Sequence, residues 1–251
     1  MALSVLAAGC GGKPAAVTSG KAGGSEGPAY VAPPEPDTVR RDAGGVVLSG
    51  LAPPGARIRL ARPNGEAAFA TANPQGRWTI PLGPSGDPRI FGLSVTSRGR
   101  VAQAQGYLLV TPNGQAALLR AGASAIRIDA VPGPGLRSID FDVGGGLEIA
   151  VAAPPRATVI VRLDGRQAAQ GRADEDGRYV ASLPPAGQPA IRPGPHQVQI
   201  MGDGFADSAS FAVSPPAPLA QGPLHSQFTP AGLRVDWMTP GGGVQSTILI
   251  H

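Results

Sequence analysis

The residues with the clearest chemical potential form a single acidic cluster, Asp174-Glu175-Asp176. Carboxylate oxygens are the ligands that calcium prefers, so a calcium-binding loop is one interpretation of this cluster. The segment lacks the spaced ligands and the closing glutamate of an EF-hand loop. A turn is the alternative, because aspartate side chains accept hydrogen bonds from nearby backbone amides and Gly177 follows at once. We predict the turn, and no metal site.

The other reactive residue types do not form a catalytic pattern. The three histidines, His196, His225 and His251, have no cysteine partner at the spacing of zinc ligands. The one Gly-x-Ser-x-Gly sequence, at 23–27, lies in the glycine-rich linker and not between a strand and a helix, so it is not a nucleophile elbow. The triple glycines at 144–146 and 241–243 lack the Lys-Ser/Thr of a phosphate loop. The 17 acidic residues are too dispersed to identify a hydrolase pair. The sequence therefore predicts a protein that is not an enzyme and has no cofactor.

Three aromatic residues raise the question of ligand binding by ring stacking. Trp78 and Tyr179 fall in alternating apolar segments and are expected to fill sandwich cores. Trp237 follows Leu233 and Val235 at a spacing of two, which places all three on one side of a strand. That side is either a buried face or a ligand platform, and Trp237 is our candidate platform residue for a polysaccharide.

The single cysteine, Cys10, excludes an internal disulfide and lies in an informative context. An apolar start is followed by Leu6-Ala7-Ala8-Gly9-Cys10, a segment too short to cross a bilayer as a helix. Residues 1–10 resemble the end of a bacterial lipoprotein signal peptide, in which small residues precede a cysteine that becomes lipidated. Ala7 departs from the usual leucine, and no basic region precedes the apolar one, so we expect the true start to lie upstream of Met1. The resemblance implies lipidation of Cys10 and an outer-membrane location; an unmodified thiol is the alternative.

Residues 11–44 have the composition of a linker. They are rich in Gly, Ala, Pro and Ser and show almost no aliphatic pattern. We predict that they form a disordered, flexible tether between the anchor and the folded part. The chain as a whole has 37 glycines and 28 prolines but is 42% hydrophobic, which favours short strands and turns over long helices or complete disorder.

The positive charge does not have the pattern of a nucleic-acid-binding surface. The formal net charge is +4, and 19 of the 21 basic residues are scattered arginines. The longest basic run is Arg40-Arg41, without interleaved aromatic residues. We therefore predict no nucleic-acid partner.

An internal repeat organises the remainder of the chain. Residues 52–60 match 153–161, and 73–78 match 174–179, both at an offset of 101 residues. A third match joins 126–129 to 233–236 at an offset of 107. Self-similarity at this period indicates repeated structural units. We predict two modules, residues 45–143 and 144–251, of which the second ends in a C-terminal hairpin.

Each module contains short apolar or alternating segments bounded by Gly, Pro, Asn or Asp, which are typical of β-strands. Six strands are predicted in each module: 46–48, 56–60, 67–71, 77–81, 90–96 and 103–110 in the first, and 147–151, 158–163, 167–173, 179–183, 196–201 and 209–213 in the second. Asn64-Gly65 and Asp164-Gly165 are predicted as tight type I′ hairpins. Strands at this spacing predict an all-β fold of two β-sandwiches.

The second module carries a resemblance to bacterial Ig-like domains. The resemblance is based on segment 153–161, Asp164-Gly165, segment 174–179 and Pro193-Gly194-Pro195-His196-Gln197-Val198. The first module has weaker counterparts of these segments. The resemblance implies two tandem Ig-like modules that act as spacers, adhesive units or stalks.

These observations predict a cell-envelope protein held at the membrane by a lipid anchor. Its expected role is a non-catalytic binding or spacer module for another envelope protein, with main-chain augmentation at strand edges as one physical route. A polysaccharide- or peptidoglycan-binding protein is the first alternative, and an accessory domain of a hydrolase is the second.

Overall fold

Strands are the regular structure throughout the part of the chain that can be described. The computed structural model describes residues 30–142, 144–183 and 191–251, in which 19 strands are found. The predicted all-β class is therefore confirmed. Within these ranges no helix has the length and apolar character needed to span a membrane. Cys10 and residues 11–29 of the predicted tether lie outside them.

The first nine strands run through the first module and the connection that follows it. They are β1 (Glu35–Asp42), β2 (Gly45–Leu51), β3 (Arg57–Ala61), β4 (Ala67–Thr71), β5 (Arg77–Leu82), β6 (Arg89–Ser97), β7 (Arg100–Val110), β8 (Ala116–Leu119) and β9 (Ile126–Arg127). All pair antiparallel, in the orders β1-β2-β5 and β4-β3-β6-β7-β8-β9. Strands β1 to β7 thus form an Ig-like sandwich of three plus four strands, and β8 and β9 continue its second sheet.

The second module repeats the same seven-strand arrangement. Its strands are β10 (Gly135–Asp142), β11 (Leu147–Ala152), β12 (Thr158–Leu163), β13 (Arg166–Arg172), β14 (Arg178–Leu183), β15 (Gly194–Gly202), β16 (Phe205–Val213), β17 (Leu224–Thr229), β18 (Gly232–Met238) and β19 (Val244–Ile250). The orders are β13-β12-β15-β16 and β14-β11-β10-β19-β18-β17. The last three strands therefore extend the second sandwich from β10, the strand equivalent to β1.

Every second side chain along a strand points inward, and these side chains fill the core of each sandwich. In the first module the inner residues of β3, Ile58 and Leu60, pack with Trp78, whose Nε1 donates to the carbonyl of Leu51 at 3.1 Å. In the second, Val159 and Val161 of β12 hold the equivalent positions. Trp78 is buried and Tyr179 packs against its core half-buried, as predicted. All twelve predicted strands are present, with ends that differ by at most four residues.

The predicted module boundaries need correction, because strand pairing moves both of them. β1 pairs along its whole length with β2, so the predicted linker 11–44 includes a strand of the first sandwich. β10 pairs with β11, so the second module begins at Gly135 and not at residue 144. Both strands escaped detection for a physical reason. The mostly exposed β1 carries charged residues instead of an apolar alternation, and β10 buries Ser138 and Asp140 among its apolar residues.

The repeat holds for the sandwiches and fails for the third match. The segments at offset 101 occupy equivalent strands, β3 with β12 and β5 with β14. Segment 126–129 contains β9 at the edge of one sheet, whereas 233–236 lies in β18 inside another. What these two segments share is local: the Nε of Arg127 donates to Asp129 at 2.8 Å, and the Nε of Arg234 donates to Asp236 at 2.9 Å.

One of the two predicted hairpin turns has a different conformation. Asp164 and Gly165 both have positive φ, 51° and 77°, as a type I′ turn requires. In the segment Arg62–Glu66 only Gly65 has positive φ, and its amide donates to the carbonyl of Arg62 at 3.0 Å. This hydrogen bond makes Pro63 and Asn64 the central residues of the turn, and a type I′ turn is excluded there because the ring of Pro63 fixes φ at a negative value.

Candidate functional site

A third apolar core joins the two modules. It lies between the outer face of the sheet that contains β6, β7 and β8 and the face of β18 and β19. The first module contributes Ile90, Leu109, Ala117, Leu119 and Ala125; the second contributes Leu233, Val235, Trp237 and Leu249. Residues 31–251 accordingly form one compact unit. We call this contact the junction.

Trp237 is part of the junction and is not a ligand platform. Its side chain is 0% exposed, and its ring meets Tyr107 edge to face with centroids 6.1 Å apart. Its Nε1 donates to Oγ1 of Thr247 at 3.1 Å. The predicted platform role is therefore wrong. The spacing of Leu233, Val235 and Trp237 did identify a common face, but that face is covered by the first module.

A set of polar side chains fixes the segment that connects β8 to β9. The Oε1 of Gln245 accepts from the amide of Gly122 at 2.9 Å, and its Nε2 donates to the carbonyls of Arg120 and Ala123 at 3.2 and 3.3 Å. Since Gln245 belongs to β19, these bonds connect the last strand of the second sandwich to the first. We refer to Asp140, Gln245 and Thr247 as the junction clamp.

Asp140 is the titratable member of the junction clamp. It is 1% exposed, and its carboxylate accepts from the amide of Ala125 at 3.0 Å, from Ser138 Oγ at 2.8 Å and from Thr247 Oγ1 at 2.6 Å. Burial raises the pKa of Asp140 to about 6, and the hydrogen bonds from Thr247, Ala125 and Ser138 oppose that rise. Protonation at the junction is thus expected in mildly acidic solution.

A cleft of about 320 Å³ opens beside the junction, and we call it the inter-module cleft. Its walls include Arg59 and Arg62 from the first module and Met238 from the second, with Gly92 and Tyr107 on β6 and β7. A Cβ atom built on Gly92 would have no neighbour within 4 Å, so the strand leaves open space at this position. Met238 is 43% exposed. Cationic groups and an apolar wall therefore share one concave surface.

The charges around the inter-module cleft are mostly positive. Arg62 pairs with Glu66 at 2.7 Å, an exposed contact of the kind that contributes little to stability. The side chain of Arg59 makes no hydrogen bond or ion pair with any residue in the described ranges. Burial and the nearby Arg62 guanidinium lower the pKa of Arg89, and its Nε is buried without a hydrogen-bond partner. An anion at the cleft would meet incompletely neutralised guanidinium groups.

A second, open groove of about 760 Å³ lies between strand edges of the second module. Residues of β16 and β17, each an outer strand of its sheet, contribute to its walls. His196 lines it, but both ring nitrogens are engaged, with Asp164 Oδ2 and the carbonyl of Arg192, each at 2.8 Å. The amide of Gln197 donates to the other oxygen of Asp164 at 2.9 Å. His196 therefore ties the β12–β13 turn to β15.

The acidic cluster at 174–176 is a turn, as predicted. Asp174 Oδ1 accepts from the amides of Asp176 and Arg178 at 3.0 and 2.8 Å. Asn73 accepts in the same way from the amides of Gln75 and Arg77, at 3.0 and 2.9 Å. The carboxylate therefore substitutes for an amide oxygen in the same turn. In the described ranges, no group of three His, Cys, Asp or Glu side chains is placed to hold a metal.

The residues of the inter-module cleft were not identified from the sequence, although two signals for them exist. In Arg57-Ile58-Arg59-Leu60 the alternation directs both arginines outward from β3. An isolated glycine inside an apolar strand, as at Gly92, marks a place where another group can approach closely. Neither signal shows which surface of the second module lies opposite.

Comparisons with known proteins support no family assignment. No protein-family model matches the chain, and no curated protein matches it. Among solved structures, the BSP domain of a biofilm-associated protein is 15% identical, with a TM-score of 0.26, over 75% of this chain and 30% of that one. This chain thus spans less than a third of that protein chain.

Two further solved structures align over more of their own length. The central fibronectin-III array of RIM-binding protein is 13% identical over 87% of this chain and 89% of that one, with a TM-score of 0.25. A 1.5-MDa bacterial ice-binding adhesin is 15% identical over 86% and 77%, with a TM-score of 0.24. At these values the fold assignment rests on the strand order and pairing described above.

Proposed function

We propose that this protein is a lipid-anchored component of a bacterial cell envelope that acts as a non-catalytic binding and spacer module. The observation that carries the proposal is the junction, because a shared apolar core makes two sandwiches one stiff body instead of two jointed ones. Such a body, attached through Cys10 and the segment before β1, would present a binding surface within reach of the membrane.

Strand edges offer one route to an envelope protein partner. β17 pairs only with β18 among the described strands, and its Phe228 is 74% exposed. An outer strand with free backbone groups can accept an added strand from another chain. Partner capture by this route would depend on the second module alone.

Anchoring is tested by mass spectrometry of the N-terminus of protein extracted from its native host. We expect an acylated Cys10 at the N-terminus and loss of a Cys10→Ala variant from the membrane fraction. A Ser19→Ala variant is the control and should remain with the membrane. Protein with an intact Met1 and a free thiol would overturn the anchored part of the proposal.

Polysaccharide or peptidoglycan binding is the second candidate function. With Trp237 buried, the observation that favours it is the inter-module cleft, whose cationic and apolar walls are suited to a sugar that bears a negative charge. Co-sedimentation with isolated cell wall tests this function, and protein that stays in the supernatant at all salt concentrations would exclude it.

A further inference from the structure

We infer that the inter-module cleft binds a carboxylate-bearing sugar within an acidic polysaccharide of the cell envelope. The guanidinium groups of Arg59 and Arg62 would hold the carboxylate, and the wall formed by Tyr107 and Met238 would contact the sugar ring. This inference rests on the proposed binding function and specifies its ligand.

The size of the cleft limits the ligand. Its volume of about 320 Å³ lies at the lower end of the range of about 300–1,000 Å³ that small-ligand sites occupy. The space above Gly92 accounts for part of this volume, because no heavy atom lies within 4 Å of a Cβ built there. One or two sugar units, and not a folded partner, fit such a cleft.

The charge distribution favours an anion over a neutral sugar. Residues 31–130 carry eleven arginines and six acidic residues, whereas residues 131–251 carry eight arginines and ten acidic residues. The first module is thus the cationic one, and Arg59 and Arg62 stand on its side of the cleft. Guanidinium groups recognise carboxylates through paired hydrogen bonds, and Arg59 has no competing partner among the described residues.

Backbone pairing argues against a peptide in the same cleft. β3, β6 and β7 are each bonded to a strand on both sides, so they offer no free edge to an extended chain. Recognition at the cleft therefore depends on side chains. A carboxylate together with the apolar face of a sugar ring matches the side chains present.

The inference is tested by calorimetric titration of the full-length chain with tri-galacturonate, and with maltotriose as the neutral counterpart. We expect binding of the uronate and none of maltotriose, with an affinity that falls as salt increases. Arg59→Gln should weaken uronate binding about tenfold or more, the usual cost of losing a charge-assisted contact. Arg57→Gln is the matched control, because Arg57 lies two residues away on β3, stacked on Phe69 and outside the cleft.

Gly92→Val provides a second and independent test. Gly92 does not have a positive φ, and the added side chain enters open space, so the strand should accept it while the cleft is filled. We expect uronate binding to be abolished and the unfolding temperature to remain close to that of the wild type. Gly86→Val, in an open loop, is its control.

Three outcomes would overturn the inference: equal binding of the uronate and maltotriose, equal losses for Arg59→Gln and Arg57→Gln, or unchanged uronate binding by Gly92→Val. Binding of an acidic tripeptide in preference to the uronate would also overturn it. Co-sedimentation with cell wall that Arg59→Gln leaves unchanged would overturn the assignment to this cleft while supporting the proposed binding function. Conversely, failure of Cys10 acylation would leave the titration result intact.

Discussion

The two sandwiches contain the same seven strands in the same order, yet the strands that follow them attach at opposite edges. In the first module β8 and β9 continue the sheet beyond β7, its seventh strand. In the second module β17, β18 and β19 continue the other sheet beyond β10, its first strand. The repeated strands build each sandwich, and the junction packs the unrepeated β18 and β19 against β8 and the outer face of β6 and β7. Substitutions in a sandwich core and substitutions at the junction should therefore have different effects on unfolding.

Replacing either buried tryptophan should have the largest effect on stability. Trp78→Ala and Trp237→Ala should each lower the free energy of unfolding by about 3–5 kcal/mol, because each leaves a cavity where a large buried ring was removed. The two variants should differ in how they unfold. Calorimetry of Trp237→Ala should show two transitions where the wild type shows one, because only this substitution opens the junction.

Phe228→Ala is the control for the loss of an aromatic ring, and it should change the stability by less than about 0.5 kcal/mol since the ring is exposed. A single, undivided transition for Trp237→Ala would show that the two modules are not coupled through the junction core.

Asp140 should make the stability of the junction depend on pH. Its pKa in the folded protein, about 6, lies above its ordinary value of 3.8, so the folded state retains a proton that the unfolded state has already lost. The stability contributed at this site is therefore present at pH 4 and is lost as the pH rises through 6, by about 2–3 kcal/mol. Chemical denaturation at pH 4.5 and 7.5 measures this change.

Asp140→Asn should remove that pH dependence, since an amide does not titrate in this range. The exposed Asp142→Asn is the matched control and should keep it. An identical pH dependence in wild type and Asp140→Asn would assign the effect to other groups.

Gln245→Ala is expected to weaken the contact between the two modules without unfolding either sandwich. It removes the acceptor of the Gly122 amide and one donor to each of the carbonyls of Arg120 and Ala123, which costs about 1–3 kcal/mol. Hydrogen exchange should accelerate in residues 120–125 and stay unchanged in β12. The exposed Gln103→Ala serves as the control, and equal exchange in both variants would contradict the role of the clamp.

The smallest effects should be equal in the two modules. Asn73→Ala and Asp174→Ala each remove an oxygen that accepts from two backbone amides, so both should cost about 1 kcal/mol. Arg156→Gln, which removes an exposed ion pair with Glu175, should cost less than about 0.5 kcal/mol. Unequal costs at positions 73 and 174 would mean that the repeated turns are not energetically equivalent.

The sequence predicts features that depend on neighbouring residues and does not predict contacts between residues far apart in the chain. Strands such as β12 and turns such as that at Asp174 depend on neighbouring residues, and they were predicted correctly. The junction depends on Trp237 meeting Tyr107 and on Gln245 meeting Gly122, pairs more than 100 residues apart. Periodicity placed Trp237 on an apolar face and gave no means of telling that another module covers it.

The same distance explains why the inter-module cleft was missed. Arg59 and Gly92 face it from strands whose patterns were recognised, but Met238 arrives from the far end of the chain. A site between two modules has no contiguous motif, and its residues can be grouped only once the sheet order is known.

The position of β19 also has a consequence for how the chain is made. β19 lies between β10 and β18, and β10 is synthesised about 100 residues earlier. As the polypeptide leaves the ribosome, the first sandwich can fold before β19 is available to pair with β10. Contacts between such distant segments form slowly. During this delay the open side of β10 is available to chaperones and to other nascent chains until residues 244–250 emerge.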